Sequence, residues 1–250
     1  MTTAPVHLEG IHNFRAVAPY QVRGGRRIRE RTIYRSGALD LMTPADEDVL
    51  SRQVQLSCVL DLRHPDESGD ASAQHALSDA VRRLSLFPEH LAQESLIAEL
   101  NGLYGTGPSA RRYFHYLEIG RERFVEAFQL LSEEETYPVL VHCTAGKDRT
   151  GVLLALLMDV LGAKDDDIGH EYELSNQSID RLIAYLESTG RVLEGTPEEI
   201  RERLATPAER ITGFIELVRK EYGSSADYLQ SIGVDEQRLE RIQDMLTEQG

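Results

Sequence analysis

The chain has 250 residues, 41% of them hydrophobic, enough for one large domain or two small ones. A net charge of −15 argues against a nucleic-acid partner, which needs a basic face, and two cysteines are too few for a disulfide framework. The N-terminus shows no charged-then-apolar leader, and the longest apolar run, near Val152 to Met158, is far too short to span a bilayer; an integral membrane protein is excluded, leaving one that is cytoplasmic or secreted without a recognisable signal peptide.

Residues 1–36 read as short strands and turns, with Gly24-Gly25 as a turn and Arg31 to Ser36 as a strand leading to Gly37. A helix starts at Thr43-Pro44, with Thr43 as N-cap and Pro44 in the first turn. Ser57 to Leu62 reads as a second strand, ending in Asp61-Leu62-Arg63-His64-Pro65. Residues 64–109 are rich in Ser, Ala, Asp, Gly and charge and read as mobile helices or loops, a helical insertion over about 66–109. Ala110 to Leu131 predicts one long amphipathic helix, because Tyr113, Tyr116, Leu117, Phe124, Phe128 and Leu131 recur at helical spacing, and that stripe reads as core. Tyr137 to Val141 is an apolar run of strand character, and Val152 to Met158 a buried helix. Asp165 to Asp167 can cap another helix, and Thr196-Pro197-Glu198-Glu199 and Thr206-Pro207-Ala208-Glu209 both read as capping boxes, so that 164–250 is mostly helical. Strands early and helices late predict an α/β fold, a central sheet flanked by helices, with its ligand at the carboxyl ends of the strands. Asp61 and Cys143 both fall at such ends.

The most informative segment is His142-Cys143-Thr144-Ala145-Gly146-Lys147-Asp148-Arg149-Thr150-Gly151. A strand, a tight loop and a helix N-terminus in that order build an anion cradle, with loop amides turned inward and the helix dipole favouring negative charge. Arg149 adds a planar fork that matches two phosphate oxygens. The same field favours the thiolate of Cys143, which is the nucleophilic form. Cys58, inside an apolar strand, reads as an inert packing residue. His142 either tunes the cysteine or is a satisfied core histidine. No residues have metal-ligand spacing, and no metal or cofactor is expected.

Cys143, five residues and then Arg149-Thr150 resemble the signature of the protein tyrosine phosphatase superfamily. The full decapeptide resembles that of bacterial tyrosine phosphatases typified by a secreted mycobacterial enzyme, a group that includes lipid phosphatases. Asn13-Phe14-Arg15, Tyr34-Arg35-Ser36-Gly37, Asp61-Leu62-Arg63 and the tail Glu221 to Leu229 resemble further motifs of that family, so the likeness covers nearly the whole chain as a single phosphatase domain over 1–250. Ala16 departs from the pattern, where an aspartate is expected after Asn-Phe-Arg.

The resemblance implies hydrolysis of phosphotyrosine proteins through a phosphocysteine, with a wider range that takes in phosphoserine, phosphothreonine or phosphoinositides, and inorganic phosphate as product. Cys143 would attack phosphorus, while Thr144, Ala145, Gly146, Lys147, Asp148 and Arg149 hold the phosphoryl oxygens and His142 and Thr150 support them. The Trp-Pro-Asp loop that carries the acid in eukaryotic relatives is absent, since the chain has no tryptophan. Asp148 is the favoured acid; Asp61 either orients Arg149, shares the proton work, or forms a structural ion pair with Arg63 or Arg149. Lys147 suits a second anionic group on a substrate, its alternative being a lysine that faces solvent. In related enzymes helices from the 66–109 region cover the site as a lid. The rival readings are an inositol-phosphate phosphatase, a rhodanese-like sulfurtransferase and a phosphate-binding module without chemistry.

Overall fold

The structure is a computed structural model that describes residue 6, residues 8–68 and residues 77–250. The chain opens with the short strands β1 (Arg15–Ala16), β2 (Gln21–Val22) and β3 (Arg26–Ile28). Gly24 and Gly25 turn β2 into β3 with φ of 73° and 69°, which explains the glycine pair. Strand β4 is Ile33–Ser36 and helix α1 is Pro44–Asp48. The predicted start of α1 is borne out: the Thr43 hydroxyl accepts from the Asp46 amide, and the Asp46 carboxylate accepts from the Thr43 amide. Strand β5 (Cys58–Asp61), helix α2 (Pro65–Ser68), strand β6 (Val81–Arg83) and helix α3 (Gln93–Tyr104) follow. Next come α4 (Ala110–Ile119), α5 (Arg121–Leu131), β7 (Val139–His142) and α6 (Asp148–Leu161). The remainder is helical: α7 (Asp165–Glu173), α8 (Ile179–Ser188), α9 (Pro197–Leu204), α10 (Ala208–Tyr222), α11 (Ser225–Ile232) and α12 (Glu236–Leu246), closed by strand β8 (Thr247–Gln249).

The main sheet has the order β1-β4-β7-β5-β6, with β4, β7, β5 and β6 parallel and β1 antiparallel at one edge. A second, small sheet joins β2, β3 and β8. The central strands are apolar on both faces, as a sheet covered on both sides requires. Ile33, Cys58, Leu60, Val139 and Val141 enter the larger core, packed by α3 to α7 and α10 to α12. Their strand neighbours Tyr34, Val59 and Leu140 point the other way, into a smaller core with Leu8, Ile11, Leu39, Leu50 and Val54. Helix α6 runs through the larger core with every residue from Arg149 to Leu161 buried. It stops at Gly162, whose φ of 86° permits the left-handed turn in which the Ala163 amide donates to Met158 O at 2.9 Å. Among the described residues no helix is long and apolar enough to cross a membrane.

Local rules fail at four places. The predicted single helix over 110–131 is two, α4 and α5, bent at Gly120, where a Cβ would sit 2.7 Å from Leu86 O and 2.9 Å from Tyr116 O. The close approach of Leu86 O, invisible to helical periodicity, leaves room there for glycine only. The Thr206 capping box does not form: α10 has no side-chain cap, and Thr206 instead donates to Asn176 Oδ1 at 2.8 Å. The N-cap of α7 is Lys164, so Asp165 to Asp167 occupy its first turn, where they face the positive end of the helix dipole. Finally, β6 lies within the segment read as helices or loops; pairing with β5 along Val59↔Val81 to Asp61↔Arg83 makes it a strand. Residues 69–76 of that segment lie outside the described residues.

Candidate active site

Register brings the predicted residues together. Ser36 of β4 and Asp61 of β5 both lie opposite His142 of β7, so three strand ends meet where the chain turns into Cys143. Cys143 is 2% exposed. Cys58 pairs with Val139, four residues short of Cys143 along the same ladder, which is about 13 Å away and beyond the reach of a disulfide.

The carbonyls of the loop are held from one side by the early motifs. His12 Nε2 lies 3.1 Å from Thr144 O, and the Ala38 amide donates to the same oxygen at 3.0 Å. Asn13 Nδ2 donates to Ala145 O at 3.1 Å and to Gly146 O at 2.8 Å, and Arg35 Nη2 donates to Gly146 O at 2.6 Å. In a trans peptide the N–H points opposite to the C=O, so the amides of Ala145, Gly146 and Lys147 face away from this buttress, the sense an anion seat requires. Gly146 has φ 66°, and a Cβ there would lie 2.1 Å from Ser36 O, so no other residue fits. Arg15 completes the frame by donating to Asn13 Oδ1 at 2.5 Å, to Glu171 Oε1 at 2.9 Å and to Glu171 O at 2.6 Å. Arg35 is buried beside the same Glu171; burial and the charge of Arg15 bring its guanidinium down to about 10, still a cation at neutral pH. Ala16 sits in β1 opposite Tyr34, so the departure from the family pattern is confined to a strand pairing.

Arg149 is held by a residue that sequence reasoning passed over. Glu67 of α2 accepts from Arg149 Nη1 and, at 2.7 Å, from Nη2; it also accepts from Thr144 Oγ1 at 2.6 Å and from the His64 amide at 2.9 Å. Burial works against the Glu67 charge, but Arg149 and these hydrogen bonds bring its carboxyl down to about 2. Burial likewise opposes the Arg149 charge, and Glu67 outweighs it. The guanidinium also lies over the Phe87 ring, 5.4 Å from its centroid.

Asp61 accepts from the Arg63 amide at 3.0 Å, from Arg63 Nε at 3.0 Å and from Arg63 Nη2 at 2.9 Å. The Arg149 fork belongs to Glu67, so the reading in which Asp61 orients Arg149 is corrected; the ion pair with Arg63 is what forms, because the turn after β5 carries Arg63 back over the carboxylate. Arg63 also donates to Asp40 at 2.8 Å, which accepts from Tyr185 OH at 2.8 Å. Burial pushes the Asp61 carboxyl up, but His142 and Arg63 hold it below the usual carboxylate range. His142 Nε2 lies 3.7 Å from Asp61 Oδ1 and Nδ1 lies 3.4 Å from Cys143 O, while burial disfavours its charged form. Thr150 is buried, and its hydroxyl has no hydrogen-bond partner among the described residues.

Lys147 is 6% exposed, which removes the reading of it as a solvent-facing lysine. Its Nζ donates to Leu204 O at 2.7 Å and lies 3.9 Å from Asp148 Oδ2. Asp148 Oδ1 accepts from Tyr113 OH. A cleft of about 330 Å³ brings Cys143, Thr144, Ala145, Lys147, Asp148 and Arg149 to one surface. Its further cations are Arg112, Arg191 and Arg203, a local positive field in a chain of net charge −15. Tyr113 and Tyr116, read from sequence as core, are core residues with a second contact, one on Asp148 and the other on the cleft wall.

Residues 6–248 match the model of the tyrosine phosphatase family. A tyrosine-protein phosphatase of Nostoc commune is 27% identical over 238 residues, 86% of this chain and 74% of that protein. A Cupriavidus necator protein named as a tyrosine-protein phosphatase is 33% identical over 172 residues, 67% of this chain and 61% of its own length. The triple specificity protein phosphatase PtpB of Mycobacterium tuberculosis is 31% identical over 120 residues, 44% of each chain. With the family model spanning nearly its whole length and the signature loop built as described, this chain belongs to the tyrosine phosphatase family.

Proposed function

We propose that the protein hydrolyses phosphotyrosine in proteins through a phosphocysteine intermediate, with a range that extends to phosphoserine, phosphothreonine or phosphoinositides. One observation carries this reading: Cys143, the loop whose carbonyls are held from the far side, and the Arg149 guanidinium line a single cleft. The Cys143 thiolate attacks phosphorus in line with the leaving oxygen, and the phosphorus–oxygen bond opens as sulfur bonds to phosphorus. The loop amides and Arg149, kept in place by Glu67, neutralise the three equatorial oxygens. Asp148 gives its proton to the leaving oxygen, then takes one from the water that opens the phosphorus–sulfur bond and releases inorganic phosphate. Asp148 is favoured over Asp61 because it lines the cleft, whereas both oxygens of Asp61 are engaged by Arg63. The wider range is supported by Lys147, Arg112, Arg191 and Arg203 around the cleft, cations suited to a second anionic group. Gln93, Ile97 and Pro108 form part of its wall, which supports a lid role for the described 77–109 part of the insertion.

The deciding experiment is phosphate release from a phosphotyrosine peptide, a phosphoserine peptide and a phosphoinositide, in EDTA, by wild type and Cys143→Ser. Release by wild type alone is expected. No release from any of the three overturns the reading, and sulfur transfer from thiosulfate is then the reaction to assay. Lys147→Ala is expected to lose more activity on the phosphoinositide than on the peptide; equal loss on both removes Lys147 from selectivity.

A further inference from the structure

Asp148 lies at the end of a hydrogen-bond chain whose direction is set at both ends. Arg210 of α10 donates through Nη1 to Tyr172 OH at 3.3 Å, Tyr172 OH and Tyr113 OH are 2.7 Å apart, and Tyr113 OH donates to Asp148 Oδ1. A guanidinium can only donate, and the Tyr113 hydroxyl, whose one proton is given to Asp148, can only accept from Tyr172. Every proton in the chain therefore points toward Asp148: from Arg210 to Tyr172, from Tyr172 to Tyr113, and from Tyr113 to the carboxylate. Both rings are enclosed, Tyr113 at 0% and Tyr172 at 1% exposed. They meet edge to face with centroids 6.3 Å apart, and Phe214 flanks Tyr113 in the same manner at 6.4 Å. Gly151 lets α6 press against the Tyr172 ring, since a Cβ there would be 2.8 Å from it. Helices α4, α7 and α10 each contribute one member, so the chain depends on how the three helices pack.

We propose that Tyr113, backed by Tyr172 and Arg210, is a positioning residue for proton transfer in this phosphatase: it occupies Oδ1 of Asp148 and reserves Oδ2 for the travelling proton. The proposal rests on the reading of Asp148 as acid and base. In the first step the Oδ2–H bond breaks, the leaving oxygen takes that proton and the phosphorus–oxygen bond opens. In the second a proton of water passes to Oδ2 as its oxygen bonds to phosphorus and the phosphorus–sulfur bond opens. Through both steps Oδ1 keeps the same donor, so the negative charge that forms on Asp148 meets a dipole already aimed at it. Other groups surround this carboxylate too: Lys147 Nζ lies 3.9 Å from Oδ2, Tyr116 of α4 interacts with its charge, and Arg149 and Arg112 line the same cleft. Among the described hydrogen bonds, Tyr113 alone donates to it from a side chain.

The test is the pH dependence of kcat and kcat/KM on a phosphotyrosine peptide for wild type, Tyr113→Phe, Tyr172→Phe and Asp148→Asn. Asp148→Asn is expected to remove one limb of the profile. Tyr113→Phe is expected to keep that limb but move it to higher pH by about one unit, because a donated hydrogen bond favours the charged carboxylate, and to lower kcat about tenfold with KM unchanged. Tyr172→Phe is expected to move the limb the same way by less, and it decides the matter alone if Tyr113→Phe does not fold. Loss of activity in either phenylalanine variant with the limb unmoved shows a packing role only and overturns the proposal while leaving Asp148 as the acid. Both limbs surviving in Asp148→Asn overturns the reading of Asp148 and the proposal with it.

Discussion

Replacing Glu67 by glutamine is expected to destabilise the protein by about 3 kcal/mol at neutral pH. The Glu67 side chain is 3% exposed, and its carboxylate meets four donors: both terminal nitrogens of Arg149, the Thr144 hydroxyl and the His64 amide. These bring its carboxyl from the ordinary 4.5 to about 2 against the opposing effect of burial. At about 1.4 kcal/mol per pH unit, that difference corresponds to about 3 kcal/mol of native-state stabilisation. The cost of removing one partner from a buried ion pair, about 3–5 kcal/mol, leads to a similar figure by another route. The sign follows from the lowered value: the contribution is complete above about pH 4.5 and disappears as pH falls toward 2. Urea unfolding of wild type and Glu67→Gln, at neutral pH and again near pH 3, measures both features. The two proteins should differ by the full amount at neutral pH and converge on acidification. A neutral-pH difference under about 1 kcal/mol, or one that persists unchanged in acid, would refute the reasoning, since the pair would then be worth no more than an exposed one.

Three further outcomes follow from the same geometry. His12 is buried and its imidazole is brought down from 6.5 to about 4, chiefly by loss of solvent, so the unfolded chain takes up a proton first and stability falls as pH drops through that interval, by about 3 kcal/mol. His12→Gln should flatten the stability profile between those pH values, and an unchanged slope would show that other groups set it. Gly146→Ala, with φ 66° and Ser36 O 2.1 Å from the new Cβ, should abolish phosphotyrosine turnover and lower the melting temperature; wild-type activity would mean that the loop tolerates the displacement. Asp61→Asn should lower stability through its contacts with Arg63 while both limbs of the pH–activity profile remain, whereas disappearance of a limb would make Asp61 the acid.

Much of this protein is written locally. The Thr43 and Thr196 caps, the glycine turn at 24–25, the apolar strands at 58–61 and 139–142 and the buried helix after the cysteine loop depend on neighbours a few residues away, and sequence pattern finds them. The loop from His142 to Gly151 was legible for the same reason, since its cysteine, glycine and arginine stand at fixed offsets on one turn. What tertiary structure decided is how distant segments meet around that loop. Glu67 reaches Arg149 across 82 residues, and Asn13 reaches Gly146 across 133, because the order β4-β7-β5 places both segments beside the strand that leads into Cys143. Helical periodicity assigned Tyr113 to the core but could not show that its hydroxyl meets Asp148, since that contact depends on how α4 packs on α6 and α7. Gly120 divides a run whose apolar spacing is helical, at a point where Leu86 O approaches too closely for a Cβ. The identity of the proposed reacting groups is thus a local property of this chain, while the residues that hold them, Glu67, Arg35, Asn13 and Tyr113, become visible only when side chains remote in sequence share one surface.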